Sequence, residues 1–227
     1  MHSKYECLAV LMNNVIHLLK KDFQIDIRLK YPFIGLILYL FSVVFLLYYS
    51  FSLGLKTEVW NSLLWITVLF VATNAIAKSF IQETNRNLYY YFISSPLAIL
   101  TSKLIYSFCF LCTLCVISFG LFSILLGYPG NNQFWFWVNL TLGCLGISSA
   151  FTMISALSAK TNSAGVMMVI LGFPVILPII ILGSSNSNIL LLGGSITDIS
   201  DNLITLFSVD LVIIALAYIL FPYSWKS

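Results

Sequence analysis

Six apolar stretches, joined by short polar links, constrain this chain more than any other feature. A transmembrane helix needs about 20 mostly apolar residues, because about 30 Å of hydrocarbon is crossed at about 1.5 Å per residue. Only 8% of the 227 residues are charged, whereas a water-soluble domain carries about 25% charged residues. The sequence predicts an all-α polytopic membrane protein with six transmembrane helices, over residues 33–53, 60–77, 104–126, 134–156, 164–182 and 203–220.

The links between these stretches are too short to hold a soluble domain, and they contain residues that favour turns. The third link contains Tyr128, Pro129 and Gly130, and the fifth contains the polar run of residues 184–188. We therefore predict a single transmembrane domain over residues 1–227.

The basic residues predict how the chain is oriented. Of the 11 lysine and arginine residues, ten lie before the first span or in the segments after the second, fourth and sixth spans, and so share one side of the membrane. Lys56 lies on the other side, in the link between the first and second spans, close to Glu58. Positive residues stay on the cytoplasmic side of a membrane. We therefore expect both termini in the cytoplasm.

A segment before the first span, over residues 8–30, has the pattern of an amphipathic helix. Its apolar residues repeat at helical spacing, and they are Leu11, Val15, Leu18, Leu19 and Phe23. Its polar residues are expected on the other face, and they are Asn14, His17, Lys21 and Asp22. Such a helix is predicted to lie in the cytoplasmic interface of the membrane.

The motifs of the sequence predict no catalytic, cofactor-binding or metal-binding site. The phosphate-binding pattern G-x-x-x-x-G-K-[ST] and the zinc pattern H-E-x-x-H are absent. The only histidines are His2 and His17. If ATP drives this protein, a partner subunit must bind and hydrolyse it. The lipid bilayer is the expected surrounding, and the sequence indicates no nucleic-acid partner.

Asp210 is the one acidic residue predicted inside a span. A charged group at the bilayer centre costs about 3 kcal/mol and usually faces the interior of a helix bundle. One interpretation is a proton or substrate contact inside the bundle. The other, which the sequence favours, is a carboxyl near the outer surface that is hydrogen-bonded to Ser208 or to a neighbouring helix, with its protonation left open.

Two further patterns invite a metal or haem interpretation, and a structural one is favoured for both. Cys109, Cys112 and Cys115 repeat along the third span without an accompanying histidine, which is typical of small buried side chains. Residues 134–137 read Phe-Trp-Phe-Trp at the start of the fourth span. Aromatic rings are enriched at membrane interfaces, so we predict an aromatic belt there.

Small residues and prolines predict local features of three later segments. Gly146 and Ala150 allow another helix to approach closely, either within the bundle or from a second copy of the chain. Pro174 and Pro178 predict a kinked or broken fifth helix. Residues 189–192 are apolar but too short to span, and they are predicted to dip into the outer interface.

The link over residues 79–103 is the longest on the predicted cytoplasmic side. It has a charged first part, an aromatic middle and a Ser-Pro pair that is expected to open a short surface helix. Such a helix could dock into a groove of a soluble partner; the alternative is a solvated loop with tyrosines at the interface. The residues expected to carry the contact are Glu83, Arg86, Leu88, Tyr91, Ser95, Pro96 and Lys103.

The whole chain resembles the haem exporter protein B (CcmB) family, the permease subunit of the cytochrome c maturation ABC transporter. The amphipathic first helix, the order of six spans and the long link carry the resemblance. Positions that match the family pattern are Glu83, Leu88, Ser95, Pro96 and Lys103 in the link, and Pro174 and Pro178 in the fifth span. Arg86 and Asn87 depart from it, since a glycine is common before the leucine.

This resemblance implies an ABC-2-like permease in the bacterial inner membrane, rather than the mitochondrial one. It implies a separate ATPase subunit, other cytochrome c maturation subunits and a haem chaperone as partners. Haem would be an exported or handled ligand, and ATP would be bound by the partner. A homodimer stays open. Two alternatives remain: an ABC-2-type exporter of a lipid, glycan or drug, and a non-transporting scaffold that assembles membrane proteins.

Overall fold

The computed structural model of the chain describes residues 14–24, 31–51, 55–76, 96–130, 133–158 and 164–226. Residues 14–24 are helical, and a single 3-10 turn, Ile196–Asp198, precedes the last helix. No strand occurs in these ranges, so the predicted all-α class is confirmed. The long helices are α1 (Tyr31–Ser50), α2 (Thr57–Ile76), α3 (Pro96–Leu126), α4 (Gln133–Ser158), α5 (Ala164–Leu191) and α6 (Ser200–Lys226).

Five of these helices, α2 to α6, are long and apolar enough to cross a membrane. The described apolar part of α1 is shorter and covers Ile34–Ser50. The chain is therefore a polytopic membrane protein with helical spans. That α1 crosses the membrane as a sixth span, and that both termini lie in the cytoplasm, stay predictions.

Helix α4 lies at the centre of the bundle. It packs against α2, α3, α5 and α6, and 78% of its most apolar window is buried, compared with 22% for α6. Helix α1 lies at the edge, where Leu40 packs with Val71 of α2 and Leu114 of α3. Consecutive helices α2 to α6 run antiparallel. We call the end at which α3 begins the basic end, since Lys103 lies there, and the other end the opposite end.

Helix α3 begins at Pro96, the position at which a proline fits a first helical turn. The helix then continues without interruption to Leu126, so it starts before the predicted span 104–126. The prediction of a separate short surface helix at the end of residues 79–103 is therefore wrong. Residues 96–103 form the first turns of α3, where Ala98 and Leu100 are fully buried.

Helix α5 continues past its predicted end at residue 182 and includes the polar run of residues 184–188, which the sequence predicts to be a link. It also includes most of the predicted interfacial segment, residues 189–192, so both predictions are wrong. Gly193, with a φ of 91°, ends the helix by donating its N–H to the carbonyl of Leu190 at 3.2 Å, and Gly194 donates to Ile189 at 2.9 Å. This pair of bonds is a Schellman C-cap, which requires a left-handed residue.

The prolines of α5 do not break the helix. Pro174 and Pro178 lie inside the continuous stretch from Ala164 to Leu191. The predicted broken helix is therefore wrong, whereas a kink at these positions stays a prediction. The other long helices begin within three residues and end within six residues of their predicted spans.

Candidate functional site

At the basic end, a buried ion pair fixes the N-terminal helical segment to α3. Lys103 Nζ lies 3.2 Å from Asp22 Oδ2, and the two side chains are only 7% and 6% exposed. Lys21 Nζ lies farther from the same carboxylate, at 3.9 Å from Oδ1. Val15 is also buried, and Leu18 packs against the core. The segment is therefore docked on the bundle through both apolar and charged contacts.

This docking corrects the predicted faces of the amphipathic segment. The pattern placed Asp22 on the polar face and Phe23 on the apolar face, whereas Asp22 is buried and Phe23 is 60% exposed. Apolar periodicity cannot reveal a buried ion pair whose partner lies far along the chain. The rest of the predicted segment, residues 8–13 and 25–30, lies outside the described residues.

The predicted contact residues Glu83, Arg86, Leu88, Tyr91 and Ser95 lie outside the described residues. The structure does give the two borders of this segment. Helix α2 ends at Ile76 and α3 begins at Pro96, and both borders lie at the basic end. The predicted coupling segment therefore joins the bundle at the end where Lys103 and Asp22 meet.

Asp210 lies at mid-depth in α6 and is fully buried, with 0% of its surface exposed. It follows Ser200, the first residue of the helix, by about 15 Å along the helix axis. Ser208 Oγ donates instead to the carbonyl of Ile204 at 2.8 Å. The predicted hydrogen bond between Asp210 and Ser208 is therefore wrong, whereas a position near the outer surface of the membrane stays a prediction.

The carboxyl of Asp210 faces α4 at Gly146. A Cβ added to Gly146 would collide with Asp210 Oδ1 and would lie 3.1 Å from Ile179 Cδ1. Neither oxygen of Asp210 has a hydrogen-bond partner among the described residues. The pattern of Gly146 and Ala150 left open whether the approaching helix belongs to the same bundle or to a second copy of the chain. At Gly146 the structure shows that it is α6 of the same chain.

We expect Gly146→Ala to lower the free energy of unfolding by about 1–3 kcal/mol, the usual cost of overpacking. The added methyl would push against Asp210 and Ile179. Adding Asp210→Ala should recover part of this loss, because contacting residues are energetically coupled. Thermal unfolding in detergent, followed by circular dichroism, measures both. Gly35→Ala is the control, since its added Cβ would meet no atom of the described residues within 4 Å beyond its chain neighbours and its own helix backbone. Equal effects at Gly146 and Gly35 would contradict the contact.

A buried polar cluster joins α2, α4 and α5 towards the opposite end. Ser187 Oγ donates to Asn61 Oδ1 at 2.6 Å and accepts a hydrogen bond from Trp65 Nε1 at 2.8 Å. Asn139 Nδ2 donates to the carbonyl of Gly183 at 2.8 Å. The sequence pattern did not predict this cluster, because polar residues after an apolar stretch are typical of a link. The sequence does contain one signal of this cluster, which is the presence of Asn61 and Asn139 inside predicted spans.

The indole ring of Trp65 lies where α4 and α5 lack side chains. A Cβ at either Gly143 or Gly183 would collide with the ring, and Trp65 itself is 1% exposed. The ring is thus held between two glycines and anchored by its hydrogen bond to Ser187. This arrangement fixes α2 to the α4–α5 pair.

The aromatic run at the start of α4 has both exposed and buried members. Phe134 is 69% exposed, as an aromatic belt predicts, whereas Phe136 is 1% exposed. The Phe136 ring packs with those of Trp60, Phe119 and Tyr128, at centroid distances of 6.4, 5.5 and 6.1 Å. Burial raises the pKa of the Tyr128 phenol. The belt interpretation is therefore wrong for Phe136, which belongs to an aromatic cluster at the opposite end.

The cysteines of α3 differ in their surroundings. Cys109 is exposed, whereas Cys115 is buried and its Sγ lies 3.0 Å from Cys144 Sγ on α4. Spacing along the chain does not relate Cys144 to the α3 cysteines. Among the described residues, no group of three or more His, Cys, Asp or Glu side chains is placed to hold a metal ion.

A recess at the basic end lies between α3, α4 and α6. Apolar side chains line it, among them Leu100, Met153 and Ala217, and it is too narrow to hold a water molecule. This recess offers no path for a substrate as large as haem. The central helices are closely packed in this conformation.

These observations define a polytopic helical membrane protein with a closely packed bundle and a charged anchor at one end. The family model described as "CcmB protein" matches residues 13–226, which is nearly the whole chain. The chain belongs to the CcmB family. Comparisons with curated proteins and with solved structures gave no match.

Membership confirms the resemblance that the sequence indicated. CcmB proteins are membrane permease subunits, generally without catalysis of their own, and they work with an ATPase in an ABC transporter. The chain is therefore a membrane component of the haem exporter and cytochrome c maturation system.

Proposed function

We propose that this chain couples ATP hydrolysis by a partner ATPase to haem export, or to release of a haem-loaded chaperone, during cytochrome c maturation. The family match over residues 13–226 carries the proposal. Haem is then an exported or handled ligand rather than a resident cofactor. The proposed location is the bacterial inner membrane, with the other maturation subunits and the chaperone as partners and a homodimer as one assembly.

The proposed contact with the ATPase is the segment of residues 79–95, together with the first turns of α3. The buried pair of Lys103 and Asp22 supports this, because it joins the first turns of α3 to the N-terminal segment. A force on the segment would then act on both elements together. Since α3 packs on α4, and α4 on α5 and α6, the force would reach the centre of the bundle. Pro174 and Pro178 are the proposed flexible point.

We expect Glu83→Lys to weaken co-purification of the ATPase, because it reverses a charge in the proposed contact. The measurement is the amount of ATPase recovered with the tagged chain from membranes. Glu58→Lys is the matched control, since this acid lies in the first turn of α2 at the opposite end and its reversal should leave recovery unchanged. Unchanged recovery with Glu83→Lys would remove Glu83 from the contact.

The proposed function is tested by haem staining of c-type cytochromes, under denaturing conditions that retain covalently bound haem. Cells that lack the chain should lose the stained bands, and the wild-type chain should restore them. Undiminished bands would overturn the proposal and favour an ABC-2-type exporter of a lipid, glycan or drug. Normal cytochromes after the ATPase is inactivated would favour the non-transporting scaffold.

A further inference from the structure

We propose that Asp210 is a proton-binding site at the centre of the bundle, and that its bound proton keeps α6 packed against α4. The site consists of the Asp210 carboxyl and the backbone surface of α4 at Gly146. This inference does not rest on the proposed function, because it concerns the chain by itself.

The burial of Asp210 leaves its charge without compensation. The carboxyl is 0% exposed, and neither oxygen has a hydrogen-bond partner among the described residues. An isolated ionised carboxylate is so costly in an apolar interior that such a group normally becomes neutral. The side chain therefore needs a cation or a proton.

The helices that pack against α6 supply no cation at this depth. They are α3, α4 and α5, and the 3-10 turn Ile196–Asp198 packs against the start of α6. The titratable residue of that turn is Asp198, whose carboxylate accepts the backbone N–H of Ser195 at 2.8 Å. Helices α4 and α5 contain no Asp, Glu, Lys, Arg or His, and Cys144 is their only titratable residue. Helix α3 carries Lys103, which pairs with Asp22 at the basic end; its other titratable residues are Tyr106, Cys109, Cys112 and Cys115.

The remaining titratable residues of α6 lie towards its ends. Asp201 is in the first turn and is exposed. Tyr218 shares a hydrogen bond with Thr101 at 2.9 Å, near the basic end. Tyr223 and Lys226 are in the last turns of the helix. None of these residues is placed within the central contact between Asp210 and Gly146.

The space around the Asp210 carboxyl has room for a proton but not for a metal cation. Even one methyl group at Gly146 would collide with Asp210 Oδ1. A metal cation such as Ca²⁺ requires six or more oxygen ligands at about 2.3–2.6 Å, and this contact has room for no such shell. A proton needs no added volume, because it converts the carboxylate into a neutral acid.

Loss of this proton is linked to separation of the two helices. A carboxylate at this position would need water or a positive partner, and the closed contact with Gly146 admits neither. Ionisation therefore requires α6 to move away from α4, and closure requires the proton to return from water. The site couples a proton to the packing of the central helix.

The test is infrared spectroscopy of the full chain in lipid nanodiscs, as wild type, Asp210→Asn and Asp201→Asn. At neutral pH the wild type should show the carbonyl stretching band of a protonated carboxylic acid, and transfer to D₂O should shift it. Asp210→Asn should abolish this band, and the exposed-acid variant Asp201→Asn should retain it. A wild-type minus Asp210→Asn difference that contains only carboxylate bands would overturn the proposal.

Two further measurements keep the test decisive. If Asp210→Asn fails to accumulate, Asp210→Glu should change the frequency of the band, and an unmoved band would assign it to another residue.

Amide hydrogen exchange of α4 around Gly146 tests the link between the proton and the packing of α6 on α4. At a pH that removes the band, exchange should be faster in the wild type than in Asp210→Asn, and at low pH the two should be equal. Equal exchange at both pH values would overturn the link.

Discussion

Lys103→Ala should lower the free energy of unfolding by about 3–5 kcal/mol, the usual cost of removing one partner of a buried ion pair. The lysine lies 3.2 Å from Asp22, and both side chains are almost fully buried. Without it, the Asp22 carboxylate loses the nearer of the two lysines that pair with it among the described residues, since Lys21 lies farther away, at 3.9 Å. Thermal unfolding of the purified chain in detergent measures the loss.

The exchange of the two charges separates the ion pair from simple loss of a side chain. Asp22→Lys combined with Lys103→Asp should recover much of the stability that each single reversal loses. Lys20→Ala is the matched control, since Lys20 lies in the same helical segment but is exposed. A double reversal no better than the single ones would show that the pair does not fix the segment to α3.

Trp65→Ala should cost about 3–5 kcal/mol, as for other large-to-small changes in a packed interior. The ring lies against Gly143 and Gly183, and these backbones can relax only partly into the space it leaves. The substitution also removes the donor that reaches Ser187 Oγ at 2.8 Å. Thermal unfolding of the full chain in detergent is again the measurement.

Two companion variants identify which part of Trp65 matters. Trp65→Phe keeps a ring between the glycines but loses the hydrogen bond, so it should cost much less, with about 1 kcal/mol from the lost bond. Phe70→Ala is the control, because Phe70 is on the same helix and 51% exposed. If Trp65→Ala lowered the stability no more than Phe70→Ala does, the packing of the Trp65 ring between α4 and α5 would be contradicted.

The sequence predicted the helices well, because apolar length is the dominant signal in a membrane protein. The prediction failed where polar side chains form hydrogen bonds with each other inside the bundle. The sequence predicts a link at Ser187, yet this residue is buried, because Asn61 and Trp65 form hydrogen bonds with it. Pro96 was placed correctly as a first helical residue, since proline fits that position whatever follows.

The candidate site was predicted only in part. Lys103 was singled out from the family pattern, but its pairing with Asp22 depends on tertiary contact that no local pattern contains. Asp210 was singled out by its charge within an apolar stretch, whereas its depth depends on where α6 begins. Gly146 was noted as a small residue, and only the packed bundle shows that an acidic side chain fills the space beside it.

The hydrogen bonds of Asn139 have a consequence for how the chain is made. Its side chain donates to the carbonyl of Gly183 at 2.8 Å and accepts from Asn186 at 3.2 Å, and both partners are on α5. During synthesis α4 leaves the ribosome before these partners exist, and an amide without partners is costly in lipid. Helix α4 should therefore stay beside the insertion machinery until α5 arrives, so that the two enter the bilayer as a pair.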